Sequence, residues 1–315
     1  MTDESNGAQL MKTPQKLLVV ITREKPFQPA LDRALMFSRG GPIEITLFSA
    51  VYEPALELTA ILASNERKLL RNEYIGQRQK YLEKLIKEKA QANVAFHPVV
   101  TWHKKTAQAV VEYTQENEFD LTIKRISSDA NSQNPFVTPV DWHLLRFCHS
   151  PLLLVRDDSW KEDSAILAAV CPTTECTEHQ KLNHDIIEYS QYLAEMLKTE
   201  AHVVNTHVSP ALDAPSDFPN IDLKKLKSKV NQFHNEKMQE LVAKHPYGDQ
   251  HIHVVEGIPE EKIPALATRI GAQLVVMGTV GRTGLTAAFM GNTAERVLAQ
   301  LNCEVLALKP DNFEV

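Results

Sequence analysis

The chain has 315 residues, of which 43% are hydrophobic and 23% charged, and a formal net charge of −6. It is too long for one ordinary hydrophobic core, comfortable for two domains, and too apolar for a disordered chain. It has no global positive field or basic stripe with interleaved aromatics, so nucleic acid is not expected as a direct partner. No apolar run approaches the ~18 residues of a membrane span.

Residues 1–15 are polar apart from Leu10-Met11 and read as a flexible tail, because so short an apolar pair cannot serve as a secretory signal. The cysteines Cys148, Cys171, Cys176 and Cys303 form no paired CxxC units. Neither a disulfide framework nor a zinc site is indicated, and the cytoplasm is the expected compartment. Lys16 to Thr22 is a continuous apolar run, as expected of a strand covered on both faces of a parallel sheet. The predicted order continues as helix (28–39), strand (43–51), charged helix (65–90), strand (94–102), helix (106–117), strand (121–123), helix (139–148) and strand (151–156). This alternation specifies a doubly wound, Rossmann-like α/β domain with right-handed crossovers.

The order begins again with a strand at 165–171, a helix at 179–197, a strand at 202–207 and a helix at 223–244. Later parts of the two halves align without a gap when 153 is added: Leu121-Thr-Ile falls on Leu274-Val-Val, and Pro151 to Val155 on Glu304 to Leu308. A period that long marks a duplicated domain, because a solenoid unit spans some 20 to 50 residues. The expected division is a domain at 16–157, a polar join near 157–163, and a domain at 164–311. The Pro-rich acidic segment Ser209 to Asn220 is the one sizeable departure, read as a surface insertion that could act as a lid.

The second half carries the chemistry. Strand Leu274 to Met277 runs into Gly278-Thr-Val-Gly281-Arg282, and after Gly291 come Asn292, Thr293 and Glu295, giving Gly-x2-Gly-x9-Gly. Glycines there are expected to allow positive φ and close approach of a ligand. The last glycine opens a helix whose first amides suit a phosphate, and Asn292 with Glu295 fits a capping box. No Gly-Lys-Ser/Thr follows, so this is not a Walker loop. The spacing resembles the universal stress protein family, whose ATP-binding members carry Gly-x2-Gly-x9-Gly-Ser/Thr between fourth strand and fourth helix. Thr138-Pro-Val-Asp-Trp-His-Leu-Leu-Arg146 and Gly278 to Gly284 resemble tandem members of it.

The resemblance implies a general stress-survival protein, including tolerance of DNA-damaging agents, with no settled reaction. It implies ATP or another adenine nucleotide, with or without Mg²⁺, at Gly278, Gly281, Arg282, Gly291, Asn292 and Thr293. The candidate set adds the strand-end residues Val170, Val208 and Met277. Two positions depart from the family pattern: Asn292 stands for the Ser/Thr, and Cys171 (Thr22 in the first half) for the Asp ending the first strand. The first half has Arg125, Ser128 and Thr138 at its glycine positions and is expected to be silent toward nucleotide, with Lys124 and Arg125 left to meet some other anion. Thr138-Pro139 reads as an ordinary N-cap.

Other residues carry plainer expectations. His251 and His253, read on one strand, face the same side without a third ligand and are taken as ordinary strand residues. Cys171 reads as an apolar filler ending a buried strand. Trp142 and His143 read as packing residues, with Trp142 alternatively a cover for an apolar ligand, and 66–89 and 224–244 as solvated helix faces. Three functions compete: a nucleotide-responsive module acting through protein partners, an ATP hydrolase or phosphotransferase, and a carrier of a lipid-like or phosphorylated ligand in the first half. No general base or Asp pair for Mg²⁺ is recognisable beside the loop. The final strands of the halves, 151–156 and 304–309, are expected to pair across a pseudo-twofold axis into an intramolecular pseudo-dimer; a further homodimer of whole chains is left open.

Overall fold

The first apolar run becomes β1 (Lys16–Val20), whose Leu17 to Val20 are buried because helices cover both faces of the sheet. The computed structural model describes residues 13–58, 63–126, 138–161, 164–209, 222–245, 247–280 and 290–310. The first half continues through α1 (Pro29–Met36), β2 (Ile43–Val51), α2 (Pro54–Leu58), α3 (Ser64–Lys89), β3 (Val94–Trp102), α4 (Thr106–Glu116), β4 (Leu121–Arg125), α5 (Pro139–Phe147) and β5 (Leu152–Val155). The second half contains β6 (Ala165–Ala169), α6 (Thr177–Leu197), β7 (Glu200–His207), α7 (Leu223–Val242), β8 (Ile252–Glu256), α8 (Pro259–Arg269), β9 (Ala272–Gly278), α9 (Asn292–Leu298) and β10 (Glu304–Leu308). Short 3-10 turns follow α1 and precede β8. Of the expected insertion Ser209 to Asn220, all but Ser209 lies outside the described residues, as does most of the tail.

The ten strands form one sheet in the order β3-β2-β1-β4-β5-β10-β9-β6-β7-β8. Within each half all pairings are parallel. The halves meet where β5 and β10 pair antiparallel, Leu154 with Val305, Leu153 with Leu306 and Leu152 with Ala307. Adding 153 exchanges the outer two pairs and maps Leu153 onto Leu306, so a pseudo-twofold axis passes through that central pair. Two cores run through both halves, one on each face. One gathers α1, α3, α6 and α7 against Leu17, Val19, Ile166 and Leu306; the other gathers α4, α5, α8 and α9 against Leu18, Val20, Leu167 and Val305.

At the junction a buried polar network replaces apolar contact. Arg33 of α1 holds the carboxylate of Glu304 through Nη2 (2.8 Å) and Nε (3.2 Å), and lies over the ring of Trp160. Trp160 Nε1 (2.6 Å) and the Arg156 amide (3.0 Å) donate to the same carboxylate. Burial pushes the Glu304 carboxyl upward, and the Arg33 hydrogen bond pulls against it. A buried ion pair satisfied on all sides adds little net stability but is costly to break, so it fixes how the two halves seat.

Candidate functional site

In the second half β6 lies between β9 and β7, so the strand order reverses there, and the space beyond the carboxyl ends is where open α/β sheets bind ligands. A crevice of about 480 Å³ occupies that place. Its walls are the β6 end (Ala169, Val170, Cys171), Asn205 and Thr206 of β7, the β9 end (Met277, Gly278), and Gly291 to Thr293 at the start of α9. Val170, Met277, Gly278, Gly291, Asn292 and Thr293 of the sequence-derived set therefore come together. Gly281 and Arg282 lie outside the described residues. Val208 is not among the residues lining the crevice: it stands one residue past β7 and is 63% exposed, whereas His207 before it is buried.

Three local expectations are corrected. Gly278 and Gly291 do not have positive φ: among the described residues that conformation falls on Gly41, Gly257, Gly271 and the non-glycine Lys198, and Gly291 sits at φ −64°. Gly278 is glycine because a Cβ there would lie 2.9 Å from Cδ2 of Leu182, so α6 packs directly on the strand end. The capping box at Asn292 is absent, since Gly291 is the N-cap and Asn292 already lies inside the helix; Glu295 instead pairs with Arg146 at 3.4 Å. Cys171 is no core filler: β6 ends two residues earlier, leaving Cys171 half-buried on the crevice wall.

Sequence reading missed Asn183 and Asn205. Asn183 of α6 accepts from the Cys171 amide (2.9 Å) and donates to its carbonyl (2.8 Å), clamping the loop after β6. Asn205 donates to the Val170 carbonyl (3.3 Å) and lies 2.9 Å from Nδ1 of His234. Both are buried amides on otherwise apolar faces, and that contrast is the signal that could have found them.

In the first half a buried ion pair bridges the equivalent strand and helix ends. Lys124 and Asp141, at positions matching Met277 and Ala294, form an ion pair of 2.5 Å with both side chains buried. Asp141 also accepts from the Thr138 amide and hydroxyl (2.8 and 2.7 Å), completing the N-cap of α5. Arg125 is committed to Asp157, whose carboxyl that hydrogen bond holds below the usual range. The expectation that Lys124 and Arg125 meet an external anion is thus overturned, because each charge is neutralised within the fold. Ser128 lies outside the described residues. Trp142 packs half-buried against the core and the His143 ring lies tilted against Phe147, as packing residues should.

The histidine pair also differs from its reading. His253 is on β8, but His251 ends the 3-10 turn before it, and both rings pack against buried His202 of β7.

Two doubly wound halves sharing one sheet, one switch point lined by a crevice and its counterpart bridged by a buried ion pair, define a tandem α/β protein. The profile of the universal stress protein family matches residues 14–156 and 171–309, and the chain belongs to that family. It is 34% identical over 301 residues to universal stress protein E of Salmonella typhi, covering 95% of this chain and 96% of that one. The same identity and length hold for universal stress protein E of Escherichia coli K12, at 95% of each chain. A solved structure from Pseudomonas aeruginosa UCBPP-PA14 superposes with a TM-score of 0.74 at 27% identity, covering 95% of both chains. No helix among the described residues is long and apolar enough to cross a membrane.

Proposed function

We propose that this chain acts in general stress resistance, including tolerance of DNA-damaging agents, as a cytoplasmic protein whose second domain takes ATP or another adenine nucleotide and reports its occupancy to protein partners. The observation that carries the reading is the convergence of Val170, Met277, Gly278, Gly291, Asn292 and Thr293 on one crevice at the switch point of β6 and β9. Belonging to the universal stress protein family supports the stress role.

A binding module is favoured over a hydrolase. No carboxylate is among the described residues lining the crevice, whose titratable lining is Cys171 and His179, so Mg²⁺ would have to arrive on the nucleotide phosphates. A carrier function in the first half is disfavoured by the buried charge of the Lys124–Asp141 pair at its switch point, a poor lining for a lipid-like ligand. Mass spectrometry of the purified full chain, followed by calorimetric titration with ATP in the presence and absence of Mg²⁺, tests the reading. Adenine nucleotide bound at one site per chain is expected. Two equivalent sites would refute the silence of the first half, and a lipid in place of nucleotide would refute the nucleotide reading.

A further inference from the structure

At the amino ends of β7 and β8, opposite the crevice, three side chains turn ligating atoms toward one point. Glu200 and His202 are two apart on β7 and so project to the same side of the strand. His251 reaches them from the 3-10 turn that leads into β8. Oε2 of Glu200 lies 3.6 Å from Nε2 of His202 and 3.6 Å from Nε2 of His251, and the three ligand atoms are all within 4.8 Å of one another. A tetrahedral ion with bonds of ~2.0–2.1 Å needs its ligand atoms about 3.3 Å apart. Two edges of the triangle already stand within a few tenths of an ångström of that.

The surroundings are built as an outer shell would be. His202 is buried, and its Nδ1 lies 3.0 Å from Nε2 of His253. A hydrogen bond on the far nitrogen orients a ligating imidazole and leaves the near nitrogen's lone pair for a metal. Glu200 is exposed, which leaves room for water at a fourth position. Two imidazoles and one carboxylate suit Zn²⁺ or a neighbouring transition ion, whereas Mg²⁺ and Ca²⁺ prefer an all-oxygen set.

We propose that Glu200, His202 and His251 bind one divalent transition-metal ion of the zinc type, with His253 as the positioning residue behind His202. The ion ties the start of β7 to the turn before β8. Because β8 is the outermost strand among the described residues and pairs there with β7 alone, the ion clips that edge of the sheet. The site lies at the opposite strand ends from the nucleotide crevice and does not depend on it.

The test uses the full chain, stripped with a chelator and titrated with Zn²⁺ by calorimetry, with Co²⁺ absorption reporting the ligand field. Wild type is expected to bind one Zn²⁺ per chain and to rise in Tm on binding. Glu200→Gln and His251→Gln are each expected to weaken Zn²⁺ at least tenfold, and His253→Gln by ~10–100-fold with every ligand in place. Glu200 is exposed, so its variant keeps the fold, which far-UV circular dichroism checks. Binding unchanged in both ligand variants, binding lost only in Cys176→Ser, or no binding by wild type below millimolar Zn²⁺ overturns the proposal.

Discussion

At Gly291 the missing side chain matters for access. With φ −64° and ψ 132° the backbone there suits any residue, so the case for glycine is the crevice rim on which it sits. Gly291→Val is expected to leave the fold intact and abolish nucleotide binding, because two methyl groups would occupy the space a phosphate needs. Calorimetry with ATP checks this, and equal affinity in variant and wild type would remove the phosphate assignment to Gly291, Asn292 and Thr293. Gly278 differs: its hydrogen is required by Leu182, so any loss on substituting it reflects the seating of α6 as well as the ligand.

At the scale of elements, the two strand-to-helix connections have parted through one ion pair. In the second half Met277 and Ala294 leave the ends of β9 and α9 apolar and open; in the first, Lys124 of β4 reaches Asp141 of α5 and draws the helix onto the strand. Lys124→Met leaves a buried carboxylate without its cation and is expected to cost ~3–5 kcal/mol in urea denaturation. Combining it with Asp141→Ala should cost less than the sum of the single changes, even though the second change also removes the α5 cap, worth ~1 kcal/mol. Strict additivity would show that the pair does not couple β4 to α5.

The whole molecule depends on β5 and β10. Either strand alone would be a sheet edge with a row of unpaired amides and carbonyls, and their antiparallel pairing hides both edges within one chain. Fusion converts a dimer contact into an intramolecular one at high effective concentration. Residues 160–315 expressed alone should therefore expose β10 and self-associate through it. In that fragment Glu304 would also lose Arg33, leaving a carboxylate that favours water and limits the tightness of the dimer. Sedimentation across a concentration series checks this, and a monomer persisting at high concentration would mean that the exposed edge of β10 is not sufficient to drive association outside the fused chain.

The sequence alone determined what depends on short-range pattern. Apolar runs alternating with amphipathic stretches set the α/β class, the offset of 153 revealed the duplication, and glycine spacing together with the predicted strand ends named six of the crevice's wall residues. Such signals survive because strand burial and helix periodicity are written within a few residues of one another. Tertiary structure decided whatever needed partners distant in the chain. Lys124 could be read as an anion site until Asp141 was brought onto it, and where Val208 stands, exposed beyond the end of β7, was equally hidden. His251 and His253 looked unremarkable until β7 supplied His202 and Glu200 from across α7. A charge, a pleat direction or a ligand set takes its meaning from what faces it, and what faces it is fixed by packing.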